Sequence, residues 1–202
     1  MKKIFLYIFI ILNFSSVSLA ENLKFKKITS LDKPWGSSFI SNDEIIITEK
    51  SGKIKIVNIL NGNVAEIEHN LNFLEYGQGG LLDILYKDNF IYVSYTENRA
   101  NWKTSTSIAK AKLDRQNLLF KNIFQANPPI DSGYHFGSRL AIKDNYLFAS
   151  AGERGKGMIA QDASKHPGSI IRIHLDGSIP KDNPRFEGNP KWLPEIYQIG
   201  IR

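Results

Sequence analysis

Residues 134–140, which read YHFGSRL, carry the side chains with the clearest chemical potential in this chain. His135 is a candidate general base, because the ordinary pKa of histidine lies near neutrality. Arg139 could bind a carboxylate, although a structural ion pair explains it equally well. A histidine just before a strand is also commonly an ordinary surface or hydrogen-bonded residue. The rest of the chain has to decide between these interpretations.

A glycine-rich stretch, YGQGG at residues 76–80, is the second candidate. Its three glycines allow the backbone to approach a ligand closely, and Gln78 offers both a hydrogen-bond donor and an acceptor. It is not a phosphate-binding loop, since neither the required lysine nor a helix follows it. A glycine-rich turn ahead of a strand is the structural alternative.

A long polar loop at residues 152–168 is the third candidate and contains Glu153, Arg154, Gln161, Asp162 and His166. Loops of more than about a dozen residues in compact domains are usually functional or disordered. We interpret His166, which precedes Pro-Gly, as part of the turn into the next strand. None of these residues forms a cluster with zinc-ligand spacing, so we predict no metal ligand among them. In addition, no serine lies in a nucleophile elbow.

The N-terminus has the layout of a secretory signal peptide. Lys2 and Lys3 precede an apolar run at residues 4–12, and small residues at 18 and 20 follow. We predict a signal peptide at residues 1–20, cleaved after Ala20, and a periplasmic or secreted domain at residues 21–202. An uncleaved membrane anchor is the alternative, but the apolar run is short for a bilayer span. No membrane span is expected after cleavage.

Composition narrows the class of protein further. The chain has 26 Lys plus Arg, 20 Asp plus Glu and a net charge of +6, with the lysines scattered among polar residues. No basic block is present, so we expect no nucleic-acid partner. The sequence has no cysteine, which excludes disulfide bonds and thiolate metal sites in an exported protein.

Three similar strand segments predict an all-β fold. Each begins with a turn containing Asn or Asp, at Asp43, Asp88 and Asp144, which are 45 and 56 residues apart. Another apolar strand precedes each copy, and a strand at residues 53–57, 107–111 or 169–173 follows it. Strict alternation in the first two followers predicts one packed and one solvated face. The spacing is close to the roughly 40 to 50 residues of a propeller blade.

We therefore predict a β-propeller, with a β-sandwich as the main rival. About three blades can be placed, flanked by a strand at residues 23–28 and by the start of another blade near Glu195. A propeller usually needs at least four blades to close, so we interpret the chain as a partial propeller, the N-terminal portion of a longer protein.

Four motifs, in order, carry a family resemblance: GQGGLLDI at residues 77–84, YHFGSRL at 134–140, GSIIRIHLDGSIPKDNP at 168–184 and YQIGIR at 197–202. Together they resemble the soluble quinoprotein aldose and glucose dehydrogenases of the glucose/sorbosone dehydrogenase family. The resemblance covers nearly all of the chain after the signal peptide but only about the first half of a typical family member.

The resemblance implies a six-bladed propeller that binds pyrroloquinoline quinone and calcium. Such an enzyme oxidises the anomeric hydroxyl of an aldose to a lactone and passes the electrons to an external acceptor. The resemblance places the general base at His135, a substrate-positioning amide at Gln78 and a cofactor-binding cation at Arg202. The calcium ligands are expected beyond residue 202. Some family members have an acidic residue directly before the base, where this chain has Tyr134.

Other functions remain open at this point. A non-catalytic periplasmic propeller could use the same loops to bind glycans or partner proteins. A lactonase-type propeller hydrolase would need metal-binding carboxylates, and the candidate loops contain few acidic residues. A homodimer is one candidate assembly, because the edge strands of an open half-ring are prone to associate.

Overall fold

Three β-sheets follow one another along the chain, and each consists mainly of strands that are neighbours in sequence. In this computed structural model the described residues are 24–185, 188 and 190–201. The predicted signal peptide and Arg202 lie outside them. Within this part of the chain there is one 3₁₀-helix, at Gly157–Gln161, and no helix long and apolar enough to cross a membrane.

Each sheet has four antiparallel strands in chain order, and the first sheet also has a short fifth strand. The first sheet consists of β1 (Pro34–Phe39), β2 (Glu44–Glu49), β3 (Lys53–Asn58) and β4 (Val64–His69). The second consists of β5 (Leu81–Lys87), β6 (Phe90–Asn98), β7 (Thr104–Lys112) and β9 (Lys121–Gln125). The third consists of β10 (Gly137–Lys143), β11 (Tyr146–Ala151), β12 (Ser169–His174) and β13 (Ile196–Ile199). The short strand β8 (Asn117–Leu118) adds a parallel edge to β4.

The sequence repeat corresponds to the second and third strands of the three sheets. The similar apolar segments form β2, β6 and β11, and the segments that follow them form β3, β7 and β12. The turn at Asp88 and Asn89 has φ values of 49° and 65°, which suit the tight turn between antiparallel strands. The prediction of a β-propeller with about three blades is confirmed.

Two apolar cores lie between the sheets. One joins the first and second sheets through residues such as Ile54 and Val93, and the other joins the second and third through residues such as Ile108 and Leu147. The middle sheet is therefore covered on both faces. For that reason the predicted solvated face of β7 is wrong: Ser107 is fully buried beside Ile108.

Two hydroxyl groups also tie neighbouring sheets together. The Thr48 hydroxyl of β2 donates to the Leu82 carbonyl of β5. At the equivalent place one sheet further on, Ser94 Oγ of β6 donates to the Ser138 carbonyl of β10 at 2.6 Å. Because β5 and β10 are the first strands of their sheets, each hydroxyl fixes the start of the next blade.

The flanking segments differ from the sequence prediction. Residues 24–28 form no strand and are exposed, with Phe25 at 93% exposure. Glu195 does not begin another blade, because β13 pairs with β12 and completes the third sheet. An isolated apolar segment cannot reveal which neighbour it will pair with, and this explains both differences.

One end of the sheets gathers the loops that matter for function. Because the strands alternate in direction, the β2–β3, β6–β7 and β11–β12 loops open at the same end as the connections between sheets. Backbone hydrogen bonds from Leu81 to Lys50 and from Gly152 to Phe136 link these loops directly. We call this the loop end of the propeller.

Candidate functional site

His135 lies at the loop end, on the connection between β9 and β10. Its φ of 48° is uncommon for a residue other than glycine, and its side chain is 25% exposed. Its backbone N–H donates to Gln78 Oε1 at 2.8 Å. The Gln78 N–H in turn donates to the Gly133 carbonyl at 2.7 Å. Two sequence candidates 57 residues apart are thus joined in one site.

Glu153 provides the partner of the imidazole. Its Oε1 lies 2.5 Å from His135 Nδ1, and its side chain is only 9% exposed. Its other oxygen, Oε2, accepts from the Gly155 N–H. The carboxylate therefore sits between the imidazole and a backbone amide, and both hold it in place.

This pairing determines the tautomer of the neutral imidazole. An ionised carboxylate only accepts hydrogen bonds, so Nδ1 must carry the hydrogen. The lone pair of neutral His135 is then on Nε2, which is the atom that can take a proton. The carboxylate also stabilises the positive charge that proton transfer creates.

The ionisation of Glu153 follows from its surroundings. Burial by itself raises the pKa of its carboxyl, but the hydrogen bonds from His135 and Gly155 outweigh that effect. The net result is a pKa below the ordinary value. Glu153 is therefore a carboxylate at neutral pH.

Arg154 fixes the loop that carries His135. Its buried guanidinium donates to the carbonyls of Tyr134, at 3.0 Å, and Ser132, and to the hydroxyl of Thr104 at 2.7 Å. It also lies 3.7 Å from the centre of the Phe136 ring. Burial lowers the pKa of Arg154 to about 10, which still leaves it protonated at neutral pH.

Two glycines allow the loops to approach this closely. A Cβ atom on Gly152 would lie 2.0 Å from the His135 carbonyl oxygen. A Cβ atom on Gly77, whose φ is 57°, would lie 2.4 Å from the Gly133 carbonyl oxygen. Any larger residue would separate Glu153 from the imidazole, or Gln78 from the backbone of His135.

A cavity of about 400 Å³ opens beside the imidazole. Its lining combines apolar and aromatic surface with two polar groups and consists of Trp35, Gln78, Leu82, His135, Phe136 and Gly137. This size and composition are typical of small-molecule sites.

Arg139 has a structural contact. Its Nη1 lies 3.3 Å from Asp83 Oδ1, and its guanidinium carbon lies 4.6 Å from the centre of the Trp35 ring. Asp83 is buried and also accepts from the Leu140 N–H at 2.9 Å. The exposed Arg139 side chain therefore packs on Trp35, one of the residues that line the cavity, and joins the starts of three sheets.

The other residues considered in the sequence analysis have different positions and contacts. Arg202 lies outside the described residues. His166 is buried, accepts from the Asn127 N–H at 2.9 Å and stacks edge-on against Phe124, as expected of a residue that fixes a turn.

The sequence analysis assigned no role to Glu153. A search for a carboxylate partner of His135 in the long polar loop would have suggested it. Among the described residues no group of three or more His, Cys, Asp or Glu side chains could hold a metal ion.

Comparison with known proteins places these features in a family. The model of the family described as Glucose / Sorbosone dehydrogenase matches residues 31–202. The aldose sugar dehydrogenase YliI of Escherichia coli is 32% identical over 85% of this chain and 49% of its own length. The quinoprotein glucose dehydrogenase B of Acinetobacter calcoaceticus is 28% identical over 91% of this chain and 45% of its own length. The chain thus spans about half the length of these curated relatives.

Solved structures agree in fold. The apo form of the soluble aldose sugar dehydrogenase from Escherichia coli has a TM-score of 0.79 and 31% identity, covering 85% of this chain and 52% of that chain. The PQQ-bound aldose sugar dehydrogenase from Streptomyces coelicolor has a TM-score of 0.66 and 25% identity, covering 80% and 50%.

Proposed function

Because this chain belongs to the glucose/sorbosone dehydrogenase family, we propose that it contributes the general base and part of the substrate site of a quinoprotein aldose dehydrogenase. The reaction oxidises the anomeric hydroxyl of an aldose to a lactone. The observation that carries the proposal is the pairing of His135 Nδ1 with Glu153 Oε1 at 2.5 Å, beside a cavity that also contains Gln78.

His135 has the properties that this chemistry requires. Nε2 removes the proton from the anomeric hydroxyl, and the Glu153 carboxylate stabilises the imidazolium that results. Glu153 is the positioning residue of this pair, since it acts through the ring of His135. Loss of the hydroxyl proton allows the hydrogen on the same carbon to leave as a hydride, which converts the hemiacetal to the lactone.

The oxygen and the nitrogen of the Gln78 side-chain amide have different roles. Its Oε1 accepts from the His135 backbone N–H, so the side chain offers a bound sugar its Nε2 donors. A hydroxyl oxygen of the aldose is a matching acceptor. Gln78 therefore holds the base and orients the substrate at the same time.

The described residues fit part of a pyrroloquinoline quinone site. The cavity provides the apolar and aromatic side chains of Trp35, Leu82 and Phe136, which suit a flat ring system. Arg139, whose guanidinium stacks on Trp35 and pairs with Asp83, adds a cation beside Trp35. When bound, the quinone supplies a two-electron acceptor for the hydride. We expect Arg202 to add a second cation near it.

Other parts of the proposal rest on sequence. Calcium would be bound by ligands beyond residue 202, and an external acceptor would reoxidise the quinone. The predicted export signal at residues 1–20 supports a periplasmic or secreted location.

Reconstitution tests this function. The full-length protein, including the residues after 202, is incubated with pyrroloquinoline quinone and calcium, and reduction of an artificial electron acceptor is followed with glucose and with other aldoses. We expect aldose-dependent reduction together with formation of the matching lactone, and no reduction when the quinone is omitted. Binding of aldose without lactone formation would instead support a non-catalytic glycan-binding protein.

A further inference from the structure

A buried hydroxyl of the middle sheet holds the backbone next to the base. Thr106 of β7 is 3% exposed, and its Oγ1 donates to the Phe136 carbonyl at 2.8 Å. Phe136 directly follows His135 in the chain. Thr106 is not among the residues that line the cavity, so its influence on the imidazole passes through the backbone.

Strand β7 is a rigid support for this contact. It pairs with β6 on one side and with β9 on the other, and the Ala126 N–H donates to the Thr106 carbonyl at 2.9 Å. Thr104 is two residues before Thr106, so both side chains point to the same face of the sheet. Both residues are buried, and their positions are therefore fixed by the sheet.

The two threonines attach the backbone on both sides of His135. Arg154 donates to the Thr104 carbonyl at 3.0 Å and to the carbonyl of the residue before His135, also at 3.0 Å, and so connects them. On the other side, Thr106 holds the carbonyl of the residue after His135 directly. The base thus lies between two attachments to one strand.

The conformation of His135 needs such support. Its φ of 48° is uncommon for a residue other than glycine, and an unfavourable backbone conformation persists only where the surroundings determine it. Release of the Phe136 carbonyl would allow the backbone between the two residues to rotate. Because Nδ1 lies 2.5 Å from Glu153 Oε1, such a rotation would lengthen that hydrogen bond and turn Nε2 away from the substrate.

A second hydrogen bond to the same carbonyl has a different effect. The Gly152 N–H donates to the Phe136 carbonyl at 3.0 Å. Since Gly152 precedes Glu153, this bond ties the two loops of the site to each other and not to the sheet. The carbonyl keeps this donor when the Thr106 hydroxyl is removed, so the protein should lose little stability. What is lost is the attachment of the base to β7.

We propose that Thr106 is a positioning residue for the general base: its hydroxyl holds the Phe136 carbonyl and so keeps the His135 imidazole aligned with Glu153 and with the aldose hydroxyl. This inference rests on the proposed function. Thr106 acts through the backbone and not on the reacting atoms. A displacement of about 1 Å can slow a reaction about 10²-fold, so a single hydroxyl away from the substrate can affect the rate.

Steady-state kinetics of the full-length protein, including the residues after 202, test the effect on the rate. Thr106→Val keeps the branched shape of the side chain and removes the hydroxyl. After reconstitution with pyrroloquinoline quinone and calcium, we expect kcat to fall about tenfold or more, with the KM for aldose changed by less than about twofold. Thr106→Ser keeps the hydroxyl and should restore kcat to within about threefold of the wild-type value.

Ser107→Ala is the matched control. Ser107 is the next residue of the strand and is equally buried, but its hydroxyl donates to Glu97 at 2.7 Å on the opposite face of the sheet. We expect the wild-type kcat from this variant. Circular dichroism verifies each fold. If Thr106→Val does not fold, Thr106→Ala replaces it, because alanine removes the hydroxyl without placing a methyl group against the carbonyl.

Nuclear magnetic resonance of the protein without quinone gives a measurement that does not depend on activity. The Nδ1–H proton of His135 lies in a short hydrogen bond to a buried carboxylate, so it should give a far-downfield signal that exchanges slowly with water. His135→Ala identifies the signal by its absence. We expect the signal in the wild type, Thr106→Ser and Ser107→Ala, and its loss in Thr106→Val.

The two measurements distinguish this inference from the proposed function. An unchanged kcat in Thr106→Val, a lower kcat with the Nδ1–H signal intact, no such signal in the wild type, or an equal loss of kcat in Ser107→Ala would overturn the role of Thr106. Loss of the signal in Thr106→Val but not in Ser107→Ala, in a protein that oxidises no aldose, would support the role of Thr106 in holding the imidazole and reject the dehydrogenase function.

Discussion

The imidazole of His135 and the carboxylate of Glu153 face each other across two different loops, with Nδ1 and Oε1 2.5 Å apart. The two residues are 18 positions apart in the chain, and the hairpin of β10 and β11 brings them together. This pairing determines which nitrogen accepts a proton, and it therefore links the fold to the proposed chemistry.

Replacing Glu153 tests the role of the carboxylate. Glu153→Gln keeps the size of the side chain but removes the charge that stabilises the imidazolium. We expect kcat to fall by about 10²-fold, within the usual range for general-base support, with little change in the KM for aldose. Glu153→Asp should restore part of the rate. An unchanged kcat in Glu153→Gln would remove Glu153 from the mechanism.

Acidification should lower the free energy of unfolding of the wild type more than that of Glu153→Gln. The folded-state pKa of Glu153 is depressed, so its contribution is present above the unfolded pKa of about 4.3 and is lost as the pH falls through the folded value. Urea unfolding of wild type and Glu153→Gln between pH 7 and pH 3 measures this. Their difference in unfolding free energy should shrink toward low pH, and a constant difference would argue against the paired carboxylate.

Gln78→Leu should affect both binding and rate. It leaves the His135 N–H without its acceptor and removes the donors offered to the sugar. A lost hydrogen bond of about 1 to 3 kcal/mol predicts a decrease in kcat/KM of roughly 5- to 150-fold. Steady-state kinetics with glucose measure it. Equal kinetics in wild type and variant would leave Gln78 as a turn residue only.

Arg154 should be important for stability. Arg154→Met removes a buried cation that holds four backbone or hydroxyl oxygens, and we expect the free energy of unfolding to fall by about 3 kcal/mol. Arg115→Met is the control, since the Arg115–Glu44 ion pair is exposed and such pairs contribute less than about 1 kcal/mol. Similar losses in both variants, measured by urea denaturation, would contradict this account.

The hydroxyls between the sheets provide a further test. Ser94→Ala removes the hydrogen bond to the Ser138 carbonyl and should cost about 1 to 3 kcal/mol, because that carbonyl is left without this donor in a buried position. Thr48→Ser keeps the equivalent hydroxyl and should cost less. Thermal unfolding of the two variants compares them directly, and equal midpoints would show that the hydroxyl is dispensable.

The repeated elements of the fold were accessible from sequence because they depend on local signals. The turn pairs before β6 and β11 and the alternation in β3 each reflect a few neighbouring residues. Where pairing depends on distant strands, prediction failed, as at residues 24–28 and at Glu195. The burial of both faces of β7 depends likewise on two neighbouring sheets.

In the site, too, residues with a local sequence signal could be predicted, and contacts between distant segments could not. His135 and Gln78 could be proposed from residue type and motif, but their contact could not, because it joins the connections before β5 and β10. Glu153 and Trp35 had no local signal of function. Their roles depend on where the folded chain places them relative to the imidazole.

The activity of His135→Ala tests the central claim most directly. Wild type, His135→Ala and the control His174→Ala, whose imidazole lies at the end of β12 remote from the loop end, are reconstituted with pyrroloquinoline quinone and calcium. Aldose-dependent reduction of an artificial acceptor is then measured, and circular dichroism verifies that each variant folds. We predict that His135→Ala is folded but inactive while His174→Ala matches the wild type. Wild-type activity in His135→Ala would contradict the assignment of His135 as the general base.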